Sequence, residues 1–224
     1  MAAPLYYSSA TYHGTGTSLA STLSGFANRF MAVTLINDVA KTPSSVQYGG
    51  VALTNACSVV RASGAPTIHL YYGLETQLST AGNSNVTWAY SGSTTNSTHV
   101  SQFYNVRQVA PYLTPSMYAE NNATYVSLNM DITESNDLLY LSACNMADAD
   151  GTWTPDAGYT EVVDMFGGGY WWSTSLYRIV SAPGSYTIGT TASQKGWRGG
   201  VGLAMHGVKS VRTSGVFLSD FGVM

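Results

Sequence analysis

RFMAVTLIND, residues 29–38, decides the fold class. It is a short, nearly uninterrupted apolar run, preceded by Gly25 and closed by a polar turn over Asp38–Ser45 that contains Pro43. A run of this length bounded by turn residues reads as a buried strand. LLYLSACNM, Leu138–Met146, has the same character and reads as a second central strand. Between and beyond the two, shorter segments follow one rhythm. Ser45–Leu53 contains a Gly49–Gly50 pair that predicts a tight turn or bulge. Thr67–Glu75, Asn85–Tyr90, His99–Val106, Thr124–Met130, Tyr159–Phe166, Tyr170–Val180, Ser185–Thr190 and Trp197–His206 all fit strands. In Asn85–Tyr90 the alternation places Val86, Trp88 and Tyr90 on one face.

Strands at this spacing, with Gly, Ser and Asn between them, predict an all-β fold: a two-sheet antiparallel β-sandwich with short terminal arms. Short helical turns are expected only at Thr133–Leu138 and after Pro111. The segment Ala110–Asn122, with Pro111 and Pro115, is the expected crossing between the two sheets. The sandwich is assigned to residues 11–208, an N-terminal arm to 1–10, and an apolar C-terminal arm to 209–224.

Composition supports this reading. Of 224 residues 45% are hydrophobic but only 9% are charged, against about 25% in an average domain. Ser, Thr, Asn, Gly and Tyr supply the polarity, which suits a pleated surface better than a long helix. The net charge of −3 and the scattered arginines and lysines show no basic stripe, so no nucleic-acid partner is expected. No run approaches the roughly 18 apolar residues of a membrane helix, so no membrane partner is expected either. The N-terminal MAAPLYYSSATYHGTG lacks a basic region followed by an apolar one; synthesis in a host cytoplasm without signal-directed export is the expectation. With so few charges, little repulsion keeps copies apart, which suits life inside an assembly.

The order of segments carries a resemblance. Asn28 and Arg29 before the first apolar strand, Val46-x-Tyr48-Gly49-Gly50-x-x-Leu53-Thr54, Tyr72, Val86, Phe103 and Val106 resemble a jelly-roll-like β-sandwich domain of tailed-phage virion structural proteins and bacterial surface proteins. The LLYLSAC strand, the Gly-rich YTEVVDMFGGGYWW hairpin and GWRGGVGLAMHGV extend the resemblance over roughly Thr11 to Val208. Trp88 and the acidic loop near Asp148–Asp156 depart from it. The resemblance implies a structural role in a virion and transfers no catalytic motif.

Chemistry-bearing patterns are sparse. The four histidines, His13, His69, His99 and His206, have no metal-ligand spacing and read as hydrogen-bonded sheet residues. Cys57 and Cys144 read as small buried hydrophobes. No nucleophile elbow occurs. Glu120, Asp131, Glu134, Asp137, Asp148, Asp150, Asp156, Glu161 and Asp164 form the one acidic neighbourhood. Asn145–Gly151 is faintly like a calcium loop but lacks the closing glutamate, so an Asp-rich turn is the better reading. Sequons at Asn85, Asn96 and Asn122 are expected by chance in so Ser/Thr/Asn-rich a chain. No catalytic residue, metal or cofactor is assigned.

Aromatics are the surplus, with 16 Tyr and 5 Trp. In the run Tyr170–Trp171–Trp172 neighbours face opposite sides of a strand, so one of the two tryptophans should point outward. Tyr170, Trp171 and Trp172, with Phe217, Leu218 and Phe221 of the tail, are the expected contacts to a protein neighbour or a glycan. The expected function is a capsid decoration (cement) protein in a virion, contacting major capsid or tail proteins and forming a homo-oligomer. The alternative is a tail-fibre or adhesin module that binds a host surface glycan; a polysaccharide-degrading enzyme ranks last.

Overall fold

A computed structural model describes residues 2–37, 40–60, 67–146, 151–166 and 171–208, with the backbone alone at 121, 122 and 171. The C-terminal segment 209–224 and the acidic positions 147–150 lie outside these residues. The elements are β1 (Leu5–Gly14), β2 (Ser18–Ala20), β3 (Phe30–Asn37), β4 (Ser45–Tyr48), β5 (Val51–Ala52), β6 (Thr54–Val59), β7 (Thr67–Leu74), α1 (Glu75–Leu78), β8 (Asn85–Ala89), β9 (Asn96–Tyr104), β10 (Ser116–Ile132), β11 (Asp137–Met146), β12 (Trp153–Pro155), β13 (Thr160–Phe166), β14 (Trp171–Val180) and β15 (Gly184–Met205). The all-β antiparallel sandwich expected from the sequence is what the chain forms. Among the described residues α1 is the sole helix, a single turn, and no helix is long and apolar enough to cross a membrane.

The strands pair into three sheets: β1-β9-β3-β7-β6, β10-β15-β11-β14-β13 with β12 added to β15, and β2-β8-β4-β5. The reason for more than two layers is written in the two apolar runs. Every residue of β3 is buried. Side chains alternate along a strand, so Phe30, Ala32 and Ile36 enter one core while Met31, Val33 and Leu35 enter another. β11 divides in the same way: Leu138, Tyr140 and Cys144 meet β3's first face, and Leu139, Leu141 and Ala143 line a third core. The five- and six-stranded sheets therefore stack through β3 and β11. The four-stranded sheet covers the outer face of the first with Val46, Tyr48, Val86 and Trp88.

The outer face of the six-stranded sheet is covered by that sheet itself. β10 and β15 form one long ribbon, from Ser116 opposite Gly202 to Ile132 opposite Gly184. Its register breaks between Glu120 and Ala123 and again before Tyr125, and such bulges bend a ribbon. The distal half lays Val126, Leu128, Met130 and Ile188 against Leu139, Leu141 and Leu176. Glycines in β15 permit the close approach. A Cβ at Gly200 would lie 2.6 Å from Val126 Cγ1, and one at Gly199 would lie 2.7 Å from Ile68 Cδ1. The segments Ser185–Thr190 and Trp197–His206, expected as two strands, are the two halves of this one bent strand.

Other expectations resolve individually. Gly49 and Gly50 have φ of 55° and 88° and turn the chain between β4 and β5. Neither Thr133–Leu138 nor the stretch after Pro111 is helical. The crossing from the first sheet to the second runs over residues 105–115, before β10 begins. Residues 5–10, read as an arm, lie instead in β1, paired from Leu5 opposite Tyr104 to Gly14 opposite Asn96. Tyr6 explains why: its ring stacks on Tyr177 at 5.4 Å and meets Phe103 edge-on at 6.0 Å, which docks the segment on the core. Arg29 donates to both carboxylate oxygens of Glu75, through its backbone N–H and its guanidinium. Gln108 accepts from the Glu75 amide at 2.7 Å and donates to the Arg29 carbonyl at 3.2 Å. The crossing segment is thereby tied to the start of β3 and the end of β7.

Two substitutions test the stack. Leu141→Ala should cost about 2–5 kcal/mol, the usual result of emptying a well-packed core site. Gly200→Val should cost at least about 1–3 kcal/mol by overpacking and separate the ribbon from β11. Urea unfolding of both variants measures this; wild-type midpoints would refute the packing described.

Candidate functional site

Three of the four histidines, His69, His99 and His206, are buried. His99 on β9 is fully buried between the two large sheets. Its Nδ1 lies 2.9 Å from Ser175 Oγ and 3.3 Å from Ser142 Oγ, and its Nε2 lies 2.7 Å from Ser173 Oγ. Burial pushes its pKa down to about 3, because the interior penalises the charged imidazolium. A serine beside a histidine resembles an activated nucleophile. Here Ser142, Ser175 and His99 are all 0% exposed, so no substrate reaches them, and the cluster is a satisfied polar layer between sheets.

His69 is held the same way, by Ser58 Oγ at 2.8 Å and the Lys41 carbonyl at 3.0 Å, and burial lowers its pKa. His206 Nδ1 pairs with Asp137 Oδ2 at 3.0 Å; burial raises the Asp137 pKa, partly opposed by His206. Cys57 and Cys144 are free and buried, with thiol pKa values pushed up to about 12 by burial. They are the small hydrophobes expected.

Among the described residues the acidic side chains do not assemble into a metal site. Glu134 pairs with Arg107, Asp131 accepts from Ser185, Asp156 accepts from Tyr125, and Glu161 accepts from Thr174. Burial raises the pKa of both Glu161 and Asp164. Among the described residues no three His, Cys, Asp or Glu side chains are grouped to hold a metal ion. Asp148 and Asp150 lie outside those residues. Arg198 is buried with its guanidinium 5.9 Å from the Trp153 ring, and burial lowers its pKa to about 10.

Of the expected contact residues, Tyr170, Phe217, Leu218 and Phe221 lie outside the described residues, and Trp171 is described by its backbone in β14. Trp172 is the inward-facing tryptophan: it is 1% exposed and sits in the third core. Register decides this, because Trp172 lies opposite Asn145 of β11, two positions along from the core residue Ala143. The expectation that Trp172 offers surface to a partner is therefore corrected. Its cross-strand neighbour Phe166 is half-exposed.

The exposed aromatic cluster lies elsewhere. Phe26 and Tyr104 stack with ring centroids 4.3 Å apart and planes at 19°, and Tyr7 meets Phe26 edge-on at 6.0 Å. Phe26 is 50% exposed and Tyr7 44%. Tyr7 sits at the bulge of edge strand β1, where the register shifts between Tyr6 and Ser8; this turns it outward while Tyr6 faces the core. Phe26 is held by the loop before β3, where Asn28 has φ 56° and the Ala27 and Asn28 carbonyls accept from the amides of Asn105 and Val106. Tyr104 is the last residue of β9. Adjacent Tyr6 and Tyr7 were the available signal in the sequence. Phe26 had none, since it is brought to the patch by backbone bonds between distant segments.

No family model, curated relative or solved structure matches the chain.

The buried histidines set a pH response. His99 has a folded pKa below its unfolded value near 6.5, so the unfolded chain binds the extra proton. Its stabilising contribution is complete above pH of about 6.5 and is lost as pH falls toward about 3; His69 acts in the same direction. Melting temperature measured against pH should fall through that window, and His99→Gln should flatten the fall.

Proposed function

We propose that this chain is a non-enzymatic structural protein of a phage-like particle, a capsid decoration protein that stabilises the head by bridging capsid subunits. The observation that carries this reading is the exposed Tyr7–Phe26–Tyr104 stack on a chain with only 9% charged residues. Aromatic rings on a rigid sheet are good contact residues, because they supply large area with few rotatable bonds. Two half-exposed rings and the more buried Tyr104 offer on the order of 200 Å², while a stable contact buries roughly 1,000 Å² or more. The patch is accordingly the apolar centre of a larger footprint. A core of stacked sheets, buried on both faces of β3 and β11, suits a load-bearing role.

The test is to add the purified protein to undecorated capsids and follow capsid melting. The protein should raise the melting temperature, and Phe26→Ser should weaken capsid binding by at least about tenfold, the equivalent of about 1.4 kcal/mol, with the protein's own melting temperature little changed. Retention on host envelope fragments with no effect on capsids would make it a glycan-binding module instead.

A further inference from the structure

Arg198 is a buried charge without an opposite charge beside it. It is 0% exposed, shares a face of β15 with Ala204 of the third core, and sits 5.9 Å from the Trp153 ring. Its Nη2 donates to the Gln194 carbonyl, while its Nε and Nη1 have no hydrogen-bond partner. Among the described residues it forms no ion pair. Glu120, directly opposite on β10, is exposed and accepts from the Tyr118 hydroxyl instead. In the same core Trp153 Nε1 and Trp172 Nε1 are buried donors without acceptors. Asn145, across the ladder from Arg198, has an unpaired Oδ1, but a neutral amide takes one donor and leaves the charge. Burial lowers the Arg198 pKa only to about 10, so the guanidinium keeps its proton at neutral pH. A full charge in the interior needs an opposite charge, because the interior solvates it far less than water does.

We propose that Arg198 holds a small monovalent anion, of the size and charge of chloride, as a structural ligand at this end of the third core. The unpaired donors are guanidinium and indole N–H groups, which suit an anion and cannot bind a cation. The surroundings are tight: a Cβ at Gly196 would lie 2.4 Å from Asn145 Oδ1, and one at Gly151 would lie 2.4 Å from Trp172 Cζ3. That favours a single atom over a phosphate or an organic acid. The β10–β15 ladder breaks register directly after the Glu120–Arg198 pair, which gives the ion a way in beside the guanidinium. With the anion in place, the bend of the ribbon closes over a neutral pair instead of a lone charge. The site is independent of the virion reading.

Melting of the full-length protein tests this, in sodium gluconate with chloride substituted up to about 300 mM at constant ionic strength. Wild type and E120Q should gain several degrees as chloride rises, because a ligand bound only by the folded state stabilises it by mass action. R198M should melt at one temperature throughout. Crystals grown with bromide in place of chloride give a second readout that needs no variant: an anomalous peak is expected beside the Arg198 guanidinium. A wild-type melting temperature indifferent to chloride would overturn the proposal, and so would a response kept in full by R198M or the absence of a bromide peak there. A response that appears only in E120Q or in D148N/D150N would also overturn it, by showing that a carboxylate of the chain itself fills the place.

Discussion

The face-to-face contact of β3 with β11 is the constraint on which the rest depends. Each is the central strand of its sheet, and each carries apolar side chains on both faces. Phe30, Ala32 and Ile36 meet Leu138, Tyr140 and Cys144 across the gap between the sheets. Their other faces then need cover, and the chain supplies it twice: a four-stranded sheet over β3, and the bent half of the β10–β15 ribbon over β11. Removing either cover would leave a row of Leu, Val or Met side chains in water, at roughly 25 cal/mol for each Å² exposed.

The buried imidazoles of His99 and His69 have partners on both ring nitrogens. His99 sits neutral among three serine hydroxyls contributed by two strands of the facing sheet. Such a layer contributes little net stability, but it penalises any sliding of one sheet over the other, since a shifted histidine would lose its partners in a dry interior. Two arginine–glutamate pairs lie nearer the surface. Arg29 with Glu75 and Arg107 with Glu134 bind the segment around residues 105–115 to the ends of β3, β7 and β11. The passage from the first large sheet to the second is fastened at the same place where the aromatic patch forms. That coincidence gives the patch a rigid base.

The surface is unusual in what it lacks. A chain with few Lys, Glu, Asp and Arg has little electrostatic means of staying apart from its neighbours, so the placement of exposed rings matters more than it would on an ordinary domain. Phe26, Tyr7 and Tyr104 are drawn from a loop, an edge strand and a strand end. Ala2 and Val208 meet beside them.

Much of the fold was legible in the residues alone. The runs at 29–38 and 138–146 named the central strands, the Gly49–Gly50 pair named a turn, and low charge with abundant Thr and Tyr named the β class, because each depends on local periodicity or backbone freedom. The candidate site was not legible in this way. Trp172 faces inward because of its register with Asn145, Tyr7 faces outward because of a bulge, and Phe26 stacks on Tyr104 because backbone bonds join segments nearly 80 residues apart. Alternation along a strand says that neighbours face opposite ways, but not which way is inside; that is set only when a second layer covers one face.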